Sequence, residues 1–225
     1  MGNGQAAVAD RVKWSFFALM GLCVLLVLWA DERFLINPAD PHWKHIAPVK
    51  WLLLVHGLGG LTALTAGALQ MSSRIRRSRT ALHRALGKVY LTAVSVSAPV
   101  AIYMGTSRLE PATIRIEQIF QGGLWWLSAM IAWACIRSGQ MPLHKSWMMR
   151  SYAFTLIFVT SRVPDAFVKS YSDQALSDML WGLVVVGVLA PELILTSQTL
   201  WRIRSARARQ ARAAASAQEQ LAPAE

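Results

Sequence analysis

The chain predicts an all-α integral membrane protein, a bundle of six transmembrane helices with both termini cytoplasmic. Three observations carry that expectation. Of its 225 residues 54% are hydrophobic and only 16% charged, and the mean hydropathy is positive at +0.35, whereas a soluble domain of this size carries more charge and alternates apolar with polar positions. Six apolar runs lie between Trp14 and Trp201, each near the roughly 20 residues that a helix needs to cross about 30 Å of hydrocarbon. The cations gather in every second gap between those runs, as residues on the cytoplasmic side of a membrane do.

The expected spans are Trp14–Ala30, Val49–Met71, Ala81–Gly105, Glu117–Arg137, Lys145–Arg162 and Asp178–Trp201. The first follows Arg11 and Lys13 as the core of a signal peptide would. Its end, WADER from Trp29 to Arg33, lacks a small-x-small cleavage pattern, so it reads as an uncleaved span. The second carries a stripe of small residues, Gly60, Ala63 and Gly67, in line with His56 and ending at Gln70; such stripes let helices pack closely in bilayers. The third opens on His83 and the fifth on His144, both after cationic gaps. Three tryptophans, Trp125, Trp126 and Trp133, sit inside the fourth, while the other seven fall near span ends as an interfacial belt does. The sixth holds Glu192 beside Pro191 near its middle, where a carboxylate needs a partner or a proton; Arg150 is the nearest candidate.

Orientation follows from counting Lys and Arg. Sixteen fall on the side of the amino terminus, including Arg74, Arg76, Arg77, Arg79, Arg84 and Lys88 after the second span, against seven on the other side. Residues 1–13 are then a cytoplasmic amino terminus, 14–203 the membrane domain and 204–225 a basic tail. That tail is expected to lie on anionic headgroups up to Arg212 and to fray beyond it.

The net charge of +11 does not imply nucleic acid, because no basic stretch is interleaved with aromatics on a foldable module. Cys23 and Cys135 lie within apolar runs and form no disulfide framework or zinc motif. No GxSxG, Walker loop or HExxH is present, so hydrolase and nucleotide chemistry have no residues to run on. The HxxH formed by His42 and His45 lacks further ligands and reads as a surface loop.

His83 and His144 remain. They open spans that run in the same direction, so the two imidazoles are expected at similar depth near the cytoplasmic face. Two histidines on facing helices are a ligand set for b-type haem. Arg79, Arg84 and Lys145 would suit its propionates, and Gly87, next to His83 on the helix face, would leave room for a flat ring. His56, near the other membrane face, is expected without a clear partner. A bland role for the histidines, contacting lipid headgroups beside arginines, has the same spacing.

Four segments together resemble a family of bacterial predicted membrane proteins, domain of unknown function 2306: Val55–Gly60 (VHGLGG), Gly67–Gln70 (GALQ), Leu82–Tyr90 (LHRALGKVY) and His144–Ala153 (HKSWMMRSYA). The likeness covers residues 49–163. It carries the family pattern onto His56, Gln70, His83, Arg84, Gly87, Tyr90, His144, Trp147, Met148, Arg150 and Ala153. It implies a multi-pass protein of the bacterial inner membrane and no established activity. More distantly, histidines on separate spans resemble di-haem cytochromes b and ferric-reductase-like membrane proteins, which have two histidine pairs where this chain has one. The candidate cofactor-binding residues are therefore His83, His144, His56, Arg84, Gly87, Tyr90, Trp147 and Arg150, with His83 and His144 on the iron. A quinone or a redox protein is the expected partner beyond the bilayer itself. The alternatives are a transporter with Glu192 and Arg150 in a polar cavity, and an accessory protein without a cofactor. Oligomeric state is not legible.

Overall fold

The computed structural model describes residues 2–30, 47–106, 111–164, 167–168 and 172–221. Among them are seven helices and no strand: α1 (Gly2–Ala30), α2 (Lys50–Gln70), α3 (Ser73–Ser78), α4 (Thr80–Thr106), α5 (Ala112–Arg137), α6 (Met141–Thr160) and α7 (Asp173–Leu221). The six long helices overlap the six expected spans. His42, His45 and Asp165 lie outside the described residues.

Four helices, α2, α4, α5 and the first 43 residues of α7, are long and apolar enough to cross a membrane by length and composition. Their apolar windows are only 17–28% buried, so large side chains such as Trp51, Leu58, Tyr103, Val186 and Leu193 point outward. An apolar exterior of this extent suits hydrocarbon rather than water. The apolar part of α1 is shorter, Trp14–Val27. Helix α6 is too polar to count among the four, because His144, Lys145, Arg150, Ser151 and Thr155 interrupt it. It is nonetheless the innermost helix, burying Ser151, Tyr152, Phe154, Thr155, Ile157 and Val159.

Helices α2, α4, α5 and α6 close a ring in which each packs on the next, with α7 against α5 and α6 and α1 against α6. Ring neighbours run antiparallel. Gly59 faces Ser97 while Gln70 reaches His83, Gly105 faces Gln118 while Gly122 faces Ala98, and Gly60 faces Phe158 while Gly67 faces Tyr152. On α5 and α6, Trp125 bonds Thr155 and the Ala132 carbonyl bonds His144. Hence α4 and α6 are parallel and stand diagonally across the ring. The core between them holds Ala63, Leu64, Tyr90, Val94, Trp125, Ala129 and Tyr152.

Two connections shape the end of the bundle where His83 and His144 begin their helices. The cationic gap after α2 contains a short helix, α3, capped at Ser72, whose hydroxyl accepts from the Ile75 amide at 3.4 Å. No apolar periodicity marked it, since six residues are under two turns. The α5–α6 turn is a Schellman motif: Gln140 N donates to Cys135 O at 2.8 Å and Gly139 N to Ile136 O at 3.2 Å. It requires the left-handed backbone of Gly139, φ +73°. A β-branched side chain there costs about 1–2 kcal/mol, so Gly139→Val is expected to lower the melting temperature in detergent, and an unchanged melt would contradict this reading of the turn.

Helix α7 continues to Leu221, where the sequence led us to expect a frayed tail. Ala, Arg, Gln and Glu are strong helix formers, and the absence of an apolar stripe does not disfavour helix. Likewise α1 starts at Gly2, well before Trp14.

Candidate functional site

The centre of the ring is polar and fully paired. The Tyr90 hydroxyl on α4 lies 2.8 Å from Ser151 Oγ and 2.9 Å from Thr155 Oγ1 on α6. Trp125 Nε1 on α5 donates to the same Thr155 Oγ1 at 2.9 Å, and Tyr152 donates to the Leu64 carbonyl of α2 at 3.1 Å. Three ring helices thus meet at Thr155. Gly67 makes the fourth approach possible: a Cβ there would lie 2.5 Å from the Tyr152 ring and 3.1 Å from the Tyr90 ring. Tyr90, a candidate cofactor contact by resemblance, lies at this buried junction with its hydroxyl engaged by Ser151 and Thr155.

That junction sets the register for the histidines. His83 lies seven residues before Tyr90, and His144 seven before Ser151. Seven residues are about two helical turns, or about 10.5 Å, and return to nearly the same face. The Tyr90–Ser151 contact therefore brings His83 and His144 to one level on facing sides of parallel helices. The charge of His144 is near enough to be felt at His83, and Arg76 of α3 acts on His83 as well. Both occupy first turns, where the positive ends of the helix dipoles lie.

The two rings are held differently. His144 Nδ1 lies 2.9 Å from the Ala132 carbonyl. A carbonyl only accepts, so Nδ1 is the donor, and in the neutral ring Nε2 is the nitrogen with the lone pair; metal-bound histidines are oriented by such contacts. His83 Nδ1 is buried with no hydrogen-bond partner, an uncommon condition for a polar atom in a folded interior.

The space beside Gly87 is filled by an amide: a Cβ on Gly87 would lie 2.8 Å from Gln70 Nε2, and Gln70 also reaches the His83 carbonyl at 3.5 Å. The glycine admits Gln70, a side chain arriving from the next helix, which helical periodicity on α4 alone cannot reveal.

The remaining residues divide between scaffold and rim. Arg150 Nε donates to Glu192 Oε1 at 2.6 Å and its guanidinium lies 4.8 Å from the centre of the Trp147 ring. The partner expected for Glu192 is thus the observed one, and the pair ties α6 to α7. Arg84 and Lys145 are exposed at the histidine end. His56 is locked at the other end: Ser97 Oγ donates to the His56 carbonyl at 2.8 Å, and His56 Nδ1 lies 3.1 Å from the Ser97 carbonyl. Phe158 packs edge-on to its ring at 6.1 Å between centroids.

Several contributors were not singled out from sequence. Ser151 and Thr155 look like ordinary small polar residues in sequence, and their offsets of seven and eleven residues from His144 are the only signal; Ser97 shares the helix face of His83 but shows no other sign of its bond to His56. Glu117 is fully buried in α5 with both carboxylate oxygens lacking a partner, which its place at the start of an expected span does not reveal. Among the described residues no group of three or more His, Cys, Asp or Glu is arranged to hold a metal ion.

No curated protein and no solved structure matches the chain. The family model described as "Predicted membrane protein (DUF2306)" matches residues 53–200, reaching past the segments that carried the resemblance to include the first part of α7, with Glu192. Those residues are more than half of the chain and hold the ring, the polar junction and both histidines. The chain belongs to that family of predicted membrane proteins.

Proposed function

We propose that this protein is a membrane redox protein in which His83 and His144 ligate the iron of a b-type haem. The reading takes it as a multi-pass protein of a bacterial inner membrane, with both termini cytoplasmic. The observation that carries the proposal is the register: two histidines on parallel, diagonally opposed helices, level with one another two turns from a direct helix–helix contact. The donor set fits the group. His144 presents Nε2 because Ala132 holds Nδ1, and the buried Nδ1 of His83 has no protein partner. Arg76, Arg84 and Lys145 provide cations at the same end for propionate carboxylates.

A haem bound there supplies one-electron chemistry. The chain's own residues orient the ligands, shield the site from the outer half of the bundle through the Tyr90 junction, and hold its anionic groups at the cationic rim. Electrons would be exchanged with a quinone or a soluble redox partner. Gln70 is the side chain that must leave the face beside Gly87 for a ring to lie there.

The test is the visible spectrum of protein purified from cells supplied with haem. A Soret band is expected, retained in Gln70→Ala, which empties that face. Absence of the band from both proteins would overturn the proposal.

A further inference from the structure

Two hollows lie on one side of α4, and their chemistry is complementary. Near the histidine end, a cup of about 520 Å³ is lined by Arg74, Ser78 and Arg79 over an apolar floor of Ile75 and Leu82. Further along α4, a groove of about 530 Å³ between α2 and α4 is lined by Val55, Leu58, Thr62, Val89 and Val96, with Lys88 toward the end nearer the cup. Leu82, Val89 and Val96 recur every seven residues and are each at least 40% exposed, so floor and groove share one stripe along the helix. From Leu82 to Val96 the helix rises about 21 Å, against about 15 Å for half the hydrocarbon thickness. Together the hollows cover one leaflet.

Among the described residues the cations have no protein counter-charge. No acidic residue occurs between Asp40 and Glu110, and among the described residues no ion pair engages Arg74, Arg79 or Lys88. Two guanidiniums and a hydroxyl at one end of an apolar stripe are suited to a phosphate carrying a hydrocarbon chain: the guanidiniums offer paired donors and the groove further along takes the tail.

We infer that α3 and the outward side of α2 and α4 form a binding site for one anionic glycerophospholipid, with its phosphodiester on Arg74 and Arg79 and an acyl chain along Val89 and Val96. The site rests on the membrane character of the family and not on the haem proposal, and its readout requires no bound cofactor.

The full-length protein in detergent, titrated with phosphatidylglycerol or phosphatidylcholine, is assayed by native mass spectrometry for retained lipid. One phosphatidylglycerol per chain is expected, preferred over phosphatidylcholine by about tenfold or more. Arg74→Gln/Arg79→Gln should abolish the preference. Val89→Trp, which fills the groove at an exposed position and leaves the charges intact, should lower retention of both lipids. Equal retention of the two lipids by the unaltered protein, or an undiminished preference in the double variant, would overturn the site. So would a protein of dimeric mass that carries no lipid, since a second copy would then cover the stripe.

Discussion

Gly67→Ala is expected to destabilise the bundle more than any other single methyl addition considered. Its Cβ would lie 2.5 Å from two carbons of the Tyr152 ring and 3.1 Å from Tyr90 Cε2. Neither ring can swing clear. The Tyr152 hydroxyl is tied to the Leu64 carbonyl, its ring packs against Phe17 at 6.5 Å between centroids, and Tyr90 is held by Ser151 and Thr155. Helix α2 must therefore retreat from α6 and α4 together, opening the core. Overpacking costs about 1–3 kcal/mol, and the lack of a yielding side chain puts this site near the upper end. Gly57→Ala is the control, because a Cβ there meets nothing within 4 Å. Thermal unfolding in detergent should show a large drop for Gly67→Ala and essentially none for Gly57→Ala; equal melting would mean that α2 does not approach the tyrosines as described.

Tyr90→Phe has the second largest expected effect and separates hydrogen bonding from packing. The ring volume is retained, while Ser151 Oγ and Thr155 Oγ1 lose the hydroxyl that lies 2.8 and 2.9 Å away. Thr155 keeps its donor from Trp125 and its own bond to the Ser151 carbonyl at 3.1 Å, so Ser151 is the group left worst off. Buried unsatisfied groups cost about 1–3 kcal/mol in soluble proteins. Hydrogen bonds between membrane helices average nearer 0.6 kcal/mol, reaching about 1.7. Because Tyr90, Ser151 and Thr155 are all buried within protein, about 1–2 kcal/mol is expected, below the effect of Gly67→Ala. A Tyr90→Phe/Ser151→Ala double variant should recover part of the loss, since the orphaned hydroxyl is then gone; a double variant less stable than the sum of its parts would refute the coupling.

Much of the architecture was legible because the bilayer is a strict solvent. Apolar length located all six long helices, and the partnership of Arg150 with Glu192 followed from the cost of a lone carboxylate in hydrocarbon. The level at which His83 and His144 begin their helices was legible as well. What stayed hidden depends on side chains arriving from other helices. Gly87 looked like room for a ring and instead admits Gln70. Gly67 looked like one member of a small-residue stripe and is the point where two tyrosines stack on α2. Helix α6 is the most polar member of the ring, yet it buries the most of its length: its Ser151 and Thr155 are useful only because Tyr90 and Trp125 reach them from α4 and α5. Helix α3 is too short to show a period, and only the Ser72 cap hints at it.

His56 belongs to the same lesson. In sequence it stands near the end of a span without a clear partner, among the candidate cofactor residues, whereas Gly59 lets α2 approach Ser97 closely enough for ring and backbone to bond it. That lock uses Nδ1 in holding two helices together, a use with no signature in sequence spacing.

The central claim is that the facing pair His83 and His144 forms the ligand set and that His56 does not. Visible absorption spectra of the purified protein and of three single variants, prepared from the same haem-supplied cells, address it directly. The Soret band of a low-spin b-type haem is predicted for the unaltered protein and for His56→Ala, and its loss or conversion to a high-spin spectrum for His83→Ala and for His144→Ala. A spectrum that survives unchanged in both of those variants, or that disappears only in His56→Ala, would contradict the account.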